Sequence, residues 1–288
     1  MMNQLAEEDW DIEITAKNNL FSLGLKDVWQ YRDLLILLVR RDFVSFYKQT
    51  ILGPLWFFVQ PIITILIYNL VFNNLANIGT DAIPGPIFYL SGIILWNYFS
   101  ECLTKTSTVF RDNAALLGKV YFPRLIMPLS IVLSNLIRFA VQFVLFVALI
   151  ILYHFLGSPI MPNLLVLLFP LLILLIAALG LGLGMIISAV TTKYRDLAFV
   201  VAFGVPLLMY TTSVIFPLSV AITKYPAYSW IIKFNPMTAI IETFRYSFLN
   251  KGSFSWDLLA YSSITTIIIL LVGIVIFNKV EKTFVDTV

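Results

Sequence analysis

Polar and apolar residues fall in long blocks along this chain rather than alternating residue by residue. No charged residue occurs from Gln49 to Thr80. About 20 apolar residues in a helix cross the ~30 Å hydrocarbon layer of a bilayer, so Gly53–Leu75 predicts one crossing. Pro54 and Pro61 sit in its first turns, where a missing amide proton costs least. Residues 73–86 are turn-rich, and a second crossing is predicted over 87–108. A compact polar island follows, RDNAALLGKVYFPRLIMP at 111–128. Residues 125–192 then hold a single Arg and a single His, too many residues for one helix. The break is Gly157-Ser158-Pro159 to Pro162-Asn163, giving crossings over 126–153 and 164–190. A tighter polar turn, TTKYRDL at 191–197, separates these from a fifth crossing over 198–217, kinked at Pro206. Residues 218–256 are amphipathic, proline-punctuated and too polar to cross cleanly; within them 235–249 predicts a short helix that dips into the membrane and returns. Residues 258–278 are uncharged and make the sixth crossing.

The N-terminal block differs. Residues 1–26 are acid-rich (Glu7, Glu8, Asp9, Asp11, Glu13) with no apolar core, a cytoplasmic extension rather than a cleavable signal. The membrane-embedded part is 27–288. At its start Val28, Tyr31, Leu35, Leu38, Val39, Phe43 and Phe46 recur at three- and four-residue steps. Asp33, Arg40, Arg41 and Lys48 fall largely on the other side. That pattern is an amphipathic helix, suited to the plane of a membrane surface or to packing on its neighbours. The expected fold is therefore an all-α integral membrane protein. It has six transmembrane helices, an N-terminal interfacial helix, and re-entrant outer helices before the last crossing.

Composition agrees: 60% of the 288 residues are hydrophobic and 12% charged, against about half and a quarter in soluble domains. The net charge of +3 is small and gives no reason to expect a nucleic-acid partner. Position matters more than total. With six crossings, fourteen Lys and Arg lie on the side of the termini and the two polar turns, four lie opposite, and Arg138 is inside a crossing. Lys and Arg concentrate in cytoplasmic loops, which predicts cytoplasmic termini. Gly180 and Gly184, four apart in LGLGLGMIISA, permit a close helix approach. The same glycines are no dinucleotide fingerprint, since Met185 fills the place of the last one and no strand precedes them.

Chemistry is sparse. Cys102 is the only cysteine, which excludes an internal disulfide and a cysteine metal cluster. His154, the only histidine, sits at the end of a crossing. No G-x-x-x-x-G-K-S/T phosphate loop is present, so the chain is not expected to hydrolyse ATP itself, and any uphill transport would draw on another subunit or an ion gradient. Arg138 costs roughly 2.5–3.5 kcal/mol at mid-membrane. It either pairs with another helix or lines the path of an anion. The 43 aromatic residues are lipid-facing bulk and interfacial belts, or the walls of a channel.

RRDFVSFYKQTILGPLWFFVQP (40–61), GKVYFPRLIMP (118–128), TTKYRDL and FNPMTAIIETFR (234–245) stand in an order that resembles the type-2 ABC exporter permeases of polysaccharides and polyol phosphates. The resemblance implies a homodimer in the bacterial cytoplasmic membrane, paired with two ATP-binding subunits that hold the ATP and magnesium, with no cofactor in this chain. It implies a cytoplasmic coupling helix around Arg111, Asp112, Asn113, Leu117, Lys119 and Tyr121, beside Lys193, Arg195 and Asp196. The implied cargo is a glycan on undecaprenyl diphosphate, O-antigen-like, with teichoic acid, capsule or a small drug or lipid as alternatives. Arg40, Arg41, Lys48 and Arg138 are the candidate diphosphate contacts, though the same cations also suit anionic membrane lipid. A membrane-embedded transferase would instead need an ionisable cluster facing a pocket, and a passive channel would need no motor.

Overall fold

The computed structural model describes residues 25–48, 50–117 and 122–284. The acidic extension (1–24), Lys119 and Tyr121 lie outside them. The described residues form helices and connecting loops. In chain order these are α1 (Leu25–Gln30), α2 (Arg32–Tyr47), α3 (Trp56–Tyr68), α4 (Gly85–Ser107), the one-turn α5 (Val109–Asp112) and α6 (Ala114–Leu117), and α7 (Ile126–Phe155). After these come α8 (Phe169–Lys193), α9 (Leu197–Leu208), α10 (Leu218–Lys224), α11 (Ser229–Lys233), α12 (Pro236–Leu249) and α13 (Trp256–Phe284).

Among the described residues, four helical stretches are long and apolar enough to cross a membrane: Gly53–Leu75, Ile126–Phe155, Leu164–Lys193 and Trp256–Val280. The first changes its winding twice. A 3₁₀ turn at Gly53–Leu55 leads into α3, and α3 runs into a π-helical Asn69–Leu75. With 23 residues α4 has the length, but Asn97, Glu101 and Lys105 dilute its apolar character. It has little need of it: 17 of those residues are buried, so α4 is the helix around which α3, α7, α8, α9 and α12 pack.

The glycines of α8 set those packing distances. A Cβ on Gly180 would stand 2.9 Å from Cβ of Cys102, and one on Gly184 2.5 Å from Cβ of Thr106. Both glycines face α4. Gly182 between them faces α13, where its Cβ would meet the Leu270 backbone at 2.8 Å. One glycine run thus admits two helices on opposite sides.

The predicted fifth crossing is shorter than expected. The apolar helix runs Leu197–Thr211, and the backbone is extended at Thr212. The carbonyls of Ser213 and Val214, which a continuing helix would have engaged, turn instead to the side chain of Arg245.

The two ends of the bundle differ. At one, Val28 and Leu38 of α1 and α2 join Val109, Phe110, Phe122, Ile126, Met185 and Phe277 in a separate apolar cluster. The polar island, the 191–197 turn, the N-terminal helices and the end of α13 therefore share that end. Residues Leu218, Ala221 and Ile232 of α10 and α11 form a small cluster of their own.

Candidate coupling ledge and polar cavity

The described start of the polar island, with the two residues before it, folds as two single helical turns, α5 and α6. Phe110 is buried against Phe277 (ring centroids 4.7 Å apart), which anchors α5 on α13. The Asp112 carboxylate accepts from Thr108 Oγ1 (2.6 Å) and from Arg111 Nε (3.0 Å), and Asn113 Nδ2 donates to the Val109 carbonyl. Arg111 and Asp112 are exposed at the surface. Leu117 is half-buried and packs against the apolar cluster beneath.

The second polar turn stands next to it. Lys193, Tyr194, Arg195 and Asp196 are all exposed, with the Lys193 ammonium over the Tyr194 ring. Thr191, buried at the end of α8, donates its hydroxyl to the carbonyl of Ser107 at the end of α4. That carbonyl is one of the orphan acceptors every helix leaves at its C-terminus. The structure thus unites Arg111, Asp112 and Asn113 with Lys193, Arg195 and Asp196 on one face.

Arg40, Arg41 and Lys48 are exposed, and Arg41 holds Asp42 at 2.8 Å. One edge of the α1–α2 segment packs inward through Val28 and Leu38, while Trp29, Ile36 and Leu37 stay 63–71% exposed. Both features expected of an amphipathic helix are present, an edge docked on neighbours and a free apolar stripe. Phe43 stacks on Phe57, so the end of α2 covers the beginning of α3.

Beneath that contact is a cavity of about 110 Å³ between α3, α4 and α7. Its polar lining is Gln60, Asn97, Glu101, Asn135, Arg138 and Gln142; Phe57, Tyr98 and Phe139 supply aromatic walls. Arg138 meets Glu101 at 3.5 Å, and Glu101 also pairs with Lys105 one turn along α4 (2.8 Å). Sequence reasoning found no ionisable cluster here. The signal was present all the same: Asn135, Arg138 and Gln142 are spaced i, i+3, i+7, as Asn97 and Glu101 are i, i+4, each set marking one helix face. Among the described residues no group of three His, Cys, Asp or Glu comes together to hold a metal ion.

A second polar centre was missed altogether. Arg245, counted from sequence among the charges opposite the termini, is wholly buried. It donates five hydrogen bonds: Nε to Ser91 Oγ, Nη1 to the Ser213 carbonyl and Glu242 Oε1, Nη2 to the carbonyls of Phe88 and Val214. Five is all a guanidinium can give. Glu242 in turn accepts from the amides of Leu218 and Ser253. The node ties α4, α10, α12 and two loops together, and Gly92 leaves room for it, since a Cβ there would stand 2.8 Å from Arg245 Nη2.

Comparison with known proteins decides the family. The sequence profile of the ABC-2 type transporter matches residues 33–249, more than two thirds of the chain. The chain belongs to the ABC-2 type transporter family. Its described helices make it a multi-pass membrane protein of that family. The chain is 29% identical over 265 residues to the Myxococcus xanthus protein named O-antigen export system permease protein RfbA, covering 92% of this chain and 98% of that one. Two Klebsiella pneumoniae proteins of the same name are 28% identical over 255 and 256 residues, covering 88% of this chain and 94% of each.

In this ABC-2 transporter many aromatic residues are core. Phe139, Phe143, Phe146, Phe169, Phe244 and Phe248 form one stack between α7, α8 and α12, with centroids 4.6–6.4 Å apart. Neither reading made from sequence, lipid-facing bulk or channel wall, describes that stack. Periodicity alone does not say which apolar face meets protein.

Proposed function

We propose that this chain is the permease subunit of an ATP-driven exporter that moves a lipid-linked, O-antigen-like polysaccharide across the bacterial cytoplasmic membrane. It works as a homodimer with two ATP-binding subunits. In this reading the chain crosses six times, with α4 and α9 among the crossings, so both termini and the ledge share one side; the excess of Lys and Arg on that side favours the cytoplasm. The observation that carries the reading is the union of two polar turns, distant in sequence, on one face and fastened by the Thr191–Ser107 hydrogen bond. A force applied to Arg111–Asn113 or to Lys193–Asp196 is then transmitted to α4, the helix on which α3, α7, α8, α9 and α12 pack. The match along nearly the full length of three O-antigen export permeases supports the substrate class.

In this mechanism α1 and α2 lie at the cytoplasmic surface with Trp29, Ile36 and Leu37 in lipid. Arg40, Arg41 and Lys48 meet the undecaprenyl diphosphate, whose oxygens suit guanidinium forks. Helices α10–α12 re-enter the membrane from outside and cap the exit. ATP binding closes the motor subunits, the ledge moves, and the two permease halves part. A transferase reading has less support, because the cavity offers one carboxylate, already occupied by two cations, and no nucleophile–base pair.

The test is charge reversal at Asp112. The side chain is half exposed, so Asp112→Arg should leave the chain folded and membrane-inserted while export stops and ATP hydrolysis loses its dependence on substrate. Undiminished export by Asp112→Arg would remove the ledge from the mechanism.

A further inference from the structure

The cavity between α3, α4 and α7 has a charge and hydrogen-bonding character of its own. We infer that it is a binding site for a neutral polyhydroxylated ring, a single sugar unit of the glycan, and not for a phosphate.

Charge argues first. Arg138 is the only cation in the lining, and Glu101 sits 3.5 Å from it in the same wall. Just outside the lining, Lys105 and Asp42 add one charge of each sign within electrostatic reach of the pair. A phosphate would face a compensated site and would have to displace the carboxylate to use the guanidinium. A neutral hydroxyl can donate to Glu101 and accept from Arg138 without separating them.

Hydrogen-bonding chemistry points the same way. Gln60, Asn97, Asn135 and Gln142 bring four primary amides to one cavity, and each amide both donates and accepts, as a sugar hydroxyl does. Asn135 is the decisive group. Its side chain is 1% exposed, and the partner within reach is the weakly hydrogen-bonding thiol of Cys102, which leaves most of the amide's donors and lone pairs unused. Burying an amide with so little of its capacity met is costly, and a ring presenting adjacent hydroxyls would satisfy the rest. Phe57, Tyr98 and Phe139 offer flat apolar walls for the C–H faces of such a ring. The volume is several times what one water needs. Gln60, exposed on α3, marks the open side, and Asn135 the floor.

The site takes its biological sense from the glycan-export reading, but its test does not depend on export. Purified full-length chain in a non-glycosidic detergent is mixed with methyl glycosides of mannose, galactose, rhamnose and N-acetylglucosamine, and saturation transfer from protein to glycoside is recorded by NMR. At least one glycoside should receive transfer. Asn135→Leu and Gln142→Leu should each weaken it by about ten-fold, the loss expected for one hydrogen bond. Inorganic phosphate at the same concentration should leave it unchanged. Gln142 is only half-buried, so Gln142→Leu decides the matter even if Asn135→Leu fails to fold.

Absence of transfer to every glycoside, transfer unaltered in both variants, or displacement by phosphate overturns the assignment. A cavity that holds only water gives the first of these, with Asn135→Leu more thermostable than the parent. If transfer is seen while deleting the chain leaves surface polysaccharide intact, the export reading fails and the site stands. If export needs the chain and no glycoside binds, the site alone fails.

Discussion

Thr191 and Ser107 are 84 residues apart in sequence, and the hydroxyl of one donates to the backbone carbonyl of the other at the point where α8 and α4 leave for their polar turns. Both residues are buried. Thr191→Val keeps the shape and removes the donor, leaving a buried helix-end carbonyl unsatisfied at a cost of about 1–3 kcal/mol. The expected outcome is a lower melting temperature for the purified chain, together with ATP hydrolysis by the reconstituted exporter that no longer drives transport. Transport per ATP equal to that of the parent would show that the two turns need not be joined.

Arg245 should behave as a structural keystone. Arg245→Ala strands Glu242 in the interior and frees four other acceptors. Breaking one side of a buried pair costs about 3–5 kcal/mol. Loss of the chain from the membrane fraction is expected for Arg245→Ala. Lys, with three donors on a single point, should rescue only part of the yield, as quantitative blotting can measure.

The Glu101–Arg138 pair is a contrast case. Glu101 is nearly half exposed, so solvent screens the attraction. A double-mutant cycle with Glu101→Gln and Arg138→Gln, read by thermal unfolding, should give a coupling of about 1 kcal/mol or less.

Glycine spacing makes a directional prediction. Gly184→Leu pushes against Thr106 and Gly182→Leu against Leu270, so each should destabilise by about 1–3 kcal/mol through overpacking. Paired cysteines across α8–α4 should lose cross-linking efficiency only in the first variant, and pairs across α8–α13 only in the second.

Much of the architecture could be read from residue order because lipid imposes it. An uncharged block of about 20 residues has few options in hydrocarbon, and the predicted stretches at 53–75, 126–153 and 164–190 lie within a few residues of the observed helices. Polar positions inside those blocks were harder to interpret. Glu242 and Arg245, three residues apart on α12, look like an exposed pair on any helical wheel, and nothing local says that Phe88, Ser213 and Val214 close over them.

The amino-acid order by itself determined the membrane class, the long apolar helices and the two polar turns, since each follows from local hydrophobicity, charge and backbone breakers within a few tens of residues. Only the tertiary structure decided which turns share a face, which glycine meets which helix, that α9 ends early to serve Arg245, and that Gln60, Asn97, Asn135 and Arg138 surround one cavity. The reason is physical. Burial in lipid is a property of a segment, but a satisfied guanidinium or a lined cavity depends on groups brought together from far along the chain.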